Sequence, residues 1–172
     1  VARHAPLWTC VLPKPRAGNA DVADTRFAEL LDAADPAGRP VLLAPRVRRL
    51  LGAVADQSPY LWHLARADPR RLARVLGEPP ERAIAQVLAG LAVGDIDETE
   101  ASVMRRLRLA KQEIALIVAL ADLGGAWRLE DVLLTLSRTA DALIDAALGL
   151  LLRARRRRAS SSSASASSAG AS

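Results

Sequence analysis

The sequence predicts an all-α fold with no sheet. Three observations carry that prediction. Ala and Leu dominate a chain that is 51% apolar yet only 3% aromatic, a balance that suits helices packed on helices. Two long segments around Gly124-Gly125 repeat apolar residues at helical spacing. Proline placed directly after serine or aspartate marks helix starts upstream of them.

The two long segments form an antiparallel helix hairpin, about 98–123 and 130–152, that organises the rest. In the first, Val103, Leu107, Ala110, Ile114, Ile117 and Ala121 fall on one face of a 3.6-residue helix. In the second, Val132, Leu136, Ala140, Leu143, Ala147 and Leu150 do the same. A loop as short as Gly124-Gly125-Ala126-Trp127 makes the helices antiparallel neighbours, so the two stripes can face each other. That pairing puts Ile114 and Ile117 against Leu136, Leu143 or their neighbours. One of the two glycines can adopt the left-handed conformation that closes a helix. Glu130 and Asp131 place negative charge in the first turn of the second helix, where the helix dipole favours it.

Upstream, residues 1–20 read as an irregular lead-in. A short helix over 25–34 follows, with Phe27, Leu30 and Leu31 on one side, and Asp35-Pro36-Ala37-Gly38 breaks it. A helix over 45–55 carries Val47, Leu50, Leu51 and Val54. Ser58-Pro59 and Asp68-Pro69 each pair an N-cap oxygen with proline at the first helical position, starting helices over 59–67 and 69–76. Gly77 stops the second, and Pro79-Pro80 opens a helix that ends near Leu91. The chain thus divides into a lead-in (1–40), a helical domain (41–152) and a basic, then Ser/Ala-rich tail (153–172). From Ala159 onward only Ala, Ser and Gly occur, too little apolar surface to offset the entropy of ordering, so the tail is expected to be disordered.

Charge argues the same division. The net charge is +5, but Arg153, Arg155, Arg156, Arg157 and Arg158 supply five of the 24 basic residues, and the other 19 balance the 19 acids. The high pI describes a tail, not a basic domain face. The arginine run could bind nucleic acid nonspecifically, but no aromatic residue beside it offers base stacking, so no specific nucleic-acid partner is expected. The longest apolar run, Ile114 to Ala121, is far short of the ~20 residues that cross a bilayer. Together with a single cysteine, Cys10, and no signal-peptide pattern, this predicts a cytoplasmic protein with no membrane partner.

Chemistry-bearing patterns are few. Asp95-Ile96-Asp97 looks like the acid pair that holds magnesium in nucleotidyl transfer. That chemistry needs the pair on a strand after a glycine-rich turn. Here Glu98, Thr99 and Glu100 follow at once, so the acids read as a helix N-terminal cluster with Asp97 as the cap. His4 and His63 have no partners at metal-ligand spacing, and Cys10 carries no nucleophile signature. Arg105, Arg106, Arg108 and Lys111 make the start of the first long helix basic. The plain reading is a solvated or salt-bridged face; the sharper one is a surface for a phosphate or an acidic partner. No catalytic, cofactor-binding or metal-binding residue is assigned.

A resemblance adds to this. Ser58-Pro59-Tyr60-Leu61-Trp62-His63-Leu64 with Ala67-Asp68-Pro69, the run from Leu107 through Gln112-Glu113-Ile114 to Asp122-Leu123-Gly124-Gly125, and Trp127-Arg128-Leu129-Glu130-Asp131-Val132 with Leu136, Ala140-Asp141-Ala142-Leu143 and Ala146-Ala147 stand in a telling order and spacing. Together they resemble the bacterial bifunctional glutamine synthetase adenylyltransferase/deadenylase family, over roughly 43–152. The resemblance implies a much longer enzyme with two nucleotidyltransferase units and helical bundles. Such an enzyme adds AMP to glutamine synthetase from ATP and removes it by phosphorolysis, with magnesium. Its implied partners are glutamine synthetase and a PII signalling protein, and its role is nitrogen regulation. The family's catalytic mark, a Gly-rich turn followed by Ser-Asp-x-Asp, is absent. The expectation is therefore an N-terminal helical fragment, inactive alone, that braces the first catalytic unit. Rival readings are an independent helical interaction module with a basic tail, and a nonfunctional truncated product.

Overall fold

The computed structural model describes residues 5–11, 20–92 and 99–168, and every element among them is a helix. In order these are α1 (Leu7–Cys10), α2 (Ala20–Ala33), α3 (Arg39–Leu43), α4 (Pro45–Gln57), α5 (Pro59–Ala67), α6 (Pro69–Gly77), α7 (Pro80–Ala92), α8 (Glu100–Leu123) and α9 (Leu129–Ser168). The all-α expectation holds for the described residues.

The predicted starts have the predicted chemistry. The Ser58 hydroxyl accepts from the Leu61 N–H, and an Asp68 carboxylate oxygen accepts from the Arg71 N–H at 3.0 Å. Each satisfies one donor of the first turn, with proline occupying the position that has no N–H to lose. At α8 the cap is Thr99, whose hydroxyl accepts from the Ser102 N–H at 3.2 Å. The assignment of Asp97 to that role, and of the helix start to Glu98, is therefore corrected. A β-region hydroxyl two residues later does the work, and helix begins at Glu100. At α9 the Asp131 carboxylate reaches back to accept from the Arg128 N–H at 3.3 Å, half of a capping box.

Helix ends are closed in a way the sequence did not advertise. Arg26 donates to the Ala55 carbonyl near the end of α4. Arg71 donates to the Leu64 carbonyl of α5 at 3.0 Å, and Arg106 to the Gly90 and Leu91 carbonyls of α7 at 3.2 and 3.4 Å. Each guanidinium meets acceptors left over by a helix's last turn and lies at the negative end of its dipole.

The second half of α8 sits deepest. Ile114, Leu116, Ile117, Val118, Leu120 and Ala121 are all buried, so this stretch is enclosed on most sides rather than along one stripe. It packs against α5, α7 and α9. One apolar cluster joins it to Leu50, Leu51 and Val54 of α4, Leu72, Val75 and Leu76 of α6, and Phe27 and Leu30 of α2.

Two elements were missed. The lead-in, expected to be irregular, contains α1. Its Leu7 and the adjacent Val11 are fully buried in the core, and the Leu7 N–H bonds the Glu78 carbonyl at 2.9 Å. The breaker Asp35-Pro36-Ala37-Gly38 ends α2 but also starts α3. There Asp35 accepts from the Gly38 N–H at 2.8 Å, Pro40 fits the first turn, and Leu42 is buried.

The hairpin is present, but its two stripes do not meet as expected. Ile114 and Ile117 are buried, whereas Leu136 is 45% exposed and Ala140 is exposed; Leu143 is only half-buried. Of the expected α9 stripe, Val132 alone joins the core among the side chains described, Leu150 lying outside them. The covered flank is Val132, Thr135, Thr139, Ala142 and Ala146, rotated away from the predicted one. Helix α9 lies against both α7 and α8, so the flank it covers faces the groove between them rather than α8 alone. The backbone of α9 also continues as helix to Ser168, where composition led us to expect disorder after Leu152. Ala and Arg are strong helix formers, and no proline interrupts the segment.

Candidate interaction surfaces

The turn between α8 and α9 is where the bundle is pinned. Gly124 keeps a right-handed backbone at the C-cap, and Gly125 takes φ 69°, the left-handed step predicted for one of the pair. A Cβ at Gly124 would stand 2.6 Å from the Leu120 carbonyl oxygen and 3.3 Å from Val11, so the chain can cross here only without a side chain. Trp127 is buried, and its ring N–H donates to a Glu81 carboxylate oxygen at 2.8 Å. That bond ties the turn to the start of α7.

Between α7 and α8 lies an open cleft of about 510 Å³, with Arg74, Arg105 and Arg106 around an apolar floor of Val87, Leu91 and Leu109. It gathers part of the basic segment singled out in the sequence, but those cations are not equivalent. Arg106 is spent on α7's carbonyls. Arg74 from α6 pairs with Glu113 and bonds Gln86 at 3.1 Å. Arg105, Arg108 and Lys111 face solvent. The plain reading of a solvated and salt-bridged face is the one this geometry supports; an exposed pair here contributes little to stability.

The remaining candidates scatter. His63 is exposed on α5 beside the buried Trp62, and Cys10 is half-buried at the end of α1, its sulfur 3.8 Å from the Thr9 hydroxyl. Asp95, Asp97 and His4 lie outside the described residues, as do the side chains of the arginine run. Among the described residues no group of three His, Cys, Asp or Glu side chains could hold a metal ion. Nor is any described helix long and apolar enough to cross a membrane.

The comparison with known proteins decides the family. The profile of the family described as glutamate-ammonia ligase adenylyltransferase matches residues 48–171. The chain belongs to the glutamate-ammonia ligase adenylyltransferase family. It is 39% identical over 143 residues to the bifunctional glutamine synthetase adenylyltransferase/adenylyl-removing enzyme of Xanthobacter autotrophicus, covering 80% of this chain and 14% of that protein. The protein of the same name from Bradyrhizobium diazoefficiens is 41% identical over 130 residues, 74% of this chain and 13% of the relative. The one from Caulobacter vibrioides is 40% identical over 103 residues, 60% and 10%. The chain therefore spans about a seventh or less of the length of these relatives. The family profile also runs past Leu152, into the basic and Ser/Ala-rich tail. No solved structure matches the chain. Membership of the family does not favour the rival reading of an independent interaction module.

Proposed function

We propose that this chain is the N-terminal helical part of a glutamine synthetase adenylyltransferase/adenylyl-removing enzyme, and that its role there is structural. It supplies a preformed bundle that braces the first nucleotidyltransferase unit. The observation that carries this is the match of 80% of an all-helical chain to only 14% of a relative named for that bifunctional activity. A segment of that kind contributes position, while the chemistry belongs to the acids elsewhere in the enzyme. Magnesium and ATP are accordingly cofactors of the whole enzyme, and glutamine synthetase and a PII protein are its partners, in the cytoplasm. The tail after Leu152 is dispensable for the bundle in this reading.

The test is turnover. The purified chain, with magnesium, labelled ATP and glutamine synthetase, is expected to transfer no AMP. With adenylylated glutamine synthetase and phosphate it is expected to release none. Turnover in either assay that disappears with Asp95→Asn or Asp97→Asn would restore catalysis to this chain and refute the reading.

A further inference from the structure

The longest apolar feature that the bundle leaves uncovered is on α9. Leu129, Leu133, Leu136, Ile144, Leu148 and Leu152 are each between 45% and 68% exposed. From Leu129 to Leu148 they recur at spacings of three, four and eight residues and, with the exposed Ala140, fall within one arc of about 120°, with Leu152 about 40° beyond its edge. The stripe lies to the side of the flank that packs on α7 and α8, and a continuous apolar patch of this kind marks an interaction surface.

The stripe is also nearly the same read in either direction. Leu133 stands as far before the point between Ala140 and Asp141 as Leu148 stands after it, and the two lie only about 60° apart around the helix, whereas Leu129 and Leu152 mirror each other in sequence but sit about 140° apart and flank the contact. Leu136 and Ile144 fall one residue from mirrored positions, within reach of adjacent side chains. An isologous contact needs this property, because each residue must meet its mirror position in the other copy. The charges on one flank agree. Arg138, Asp141 and Asp145 are exposed and make no ion pair with any described residue. In an antiparallel pair centred between 140 and 141, Arg138 of one copy stands between Asp141 and Asp145 of the other. A parallel, in-register pair would instead set Arg138 beside Arg138 and each acid beside its like, which is unfavourable.

We infer that α9 is a self-association surface, on which a second copy of this chain docks antiparallel with its two-fold axis passing between Ala140 and Asp141. The contact buries the leucine stripe of both copies and leaves each packed flank in place. It requires nothing of the functional reading above.

Sedimentation equilibrium of the intact chain from about 1 to about 100 µM tests it, a range that brackets interfaces of modest size. The expected species has twice the 18.3 kDa chain mass. Leu133→Lys and Ile144→Lys are each expected to weaken association at least ~10-fold, with circular dichroism unchanged because both positions are exposed. Orientation is read separately in a Cys10→Ser background. Ala140→Cys should form a disulfide-linked dimer under mild oxidation. Leu133→Cys should not, because its two copies stand about 22 Å apart along antiparallel helices. A monomer throughout the range, a dimer indifferent to both lysines, or linkage through residue 133 as readily as through 140 would each overturn the inference.

Discussion

At the scale of single residues, stability rests on close approaches and on satisfied polar groups. Gly124 is the sharpest case, because Leu120 and Val11 leave no space for a methyl group. Gly124→Ala should lower stability by about 1–3 kcal/mol in urea titration, as overpacking does. Thr139 runs the other way. It is the one polar residue buried on the described part of α9, and its hydroxyl has no hydrogen-bond partner. Thr139→Val keeps the shape and removes the orphan, and is expected to raise stability by about 1 kcal/mol. Loss of stability in that variant would mean the hydroxyl is satisfied in solution. The caps at Ser58 and Asp68 were legible because serine or aspartate before proline has one local use at a helix start. The arginine closures of α4, α5 and α7 were not, since Arg26 lies far along the chain from Ala55 and Arg106 from Gly90.

At the scale of elements, periodicity revealed which residues of α8 are buried but not what they meet. Val103, Ala110, Ile114, Ile117 and Ala121 are buried as the spacing required, and Leu107 of the same stripe is half-buried. The second helix of the hairpin does pack on α8, but a helical stripe says only that something covers it, not how many elements share the cover. Here α7, α9 and α5 all share that role. The α9 stripe read from sequence merged two neighbouring flanks, one packed and one open, because leucine and alanine occupy both. The four-residue α1 was invisible for a different reason: an element too short for periodicity is known only by what it plugs, and Leu7 and Val11 plug the core. Two substitutions in α8 separate enclosure from mere helicity. Ile117→Asp places an unpaired charge where no water reaches and should cost about 3–5 kcal/mol. Leu109→Asp, at a position 46% exposed, should change stability by no more than about 0.5 kcal/mol. Equal melting of these two variants would refute the placement of α8.

At the scale of the whole molecule, the segments that carry the family resemblance were legible in the sequence, and what the surface offers was only partly so. The sequence holds no Gly-rich turn followed by an acid pair, and the described residues gather no metal-holding group. The basic start of α8 looked uniform in sequence, yet folding assigns Arg106 to a helix end and leaves Arg105 beside the cleft. Only the three-dimensional course of α7 could make that distinction. The central claim is that this bundle is an exchangeable, noncatalytic part of a longer enzyme. The most direct measurement replaces the aligned 143-residue segment in the Xanthobacter autotrophicus relative with this chain's and assays both AMP transfer and AMP removal. The prediction is that the chimera folds and retains both activities within about tenfold of its parent, the cost expected of about 1.4 kcal/mol of imperfect docking, and that adding Ile117→Asp abolishes them together with folding. A well-folded chimera without either activity, or a relative that works equally well with the segment deleted, would contradict it.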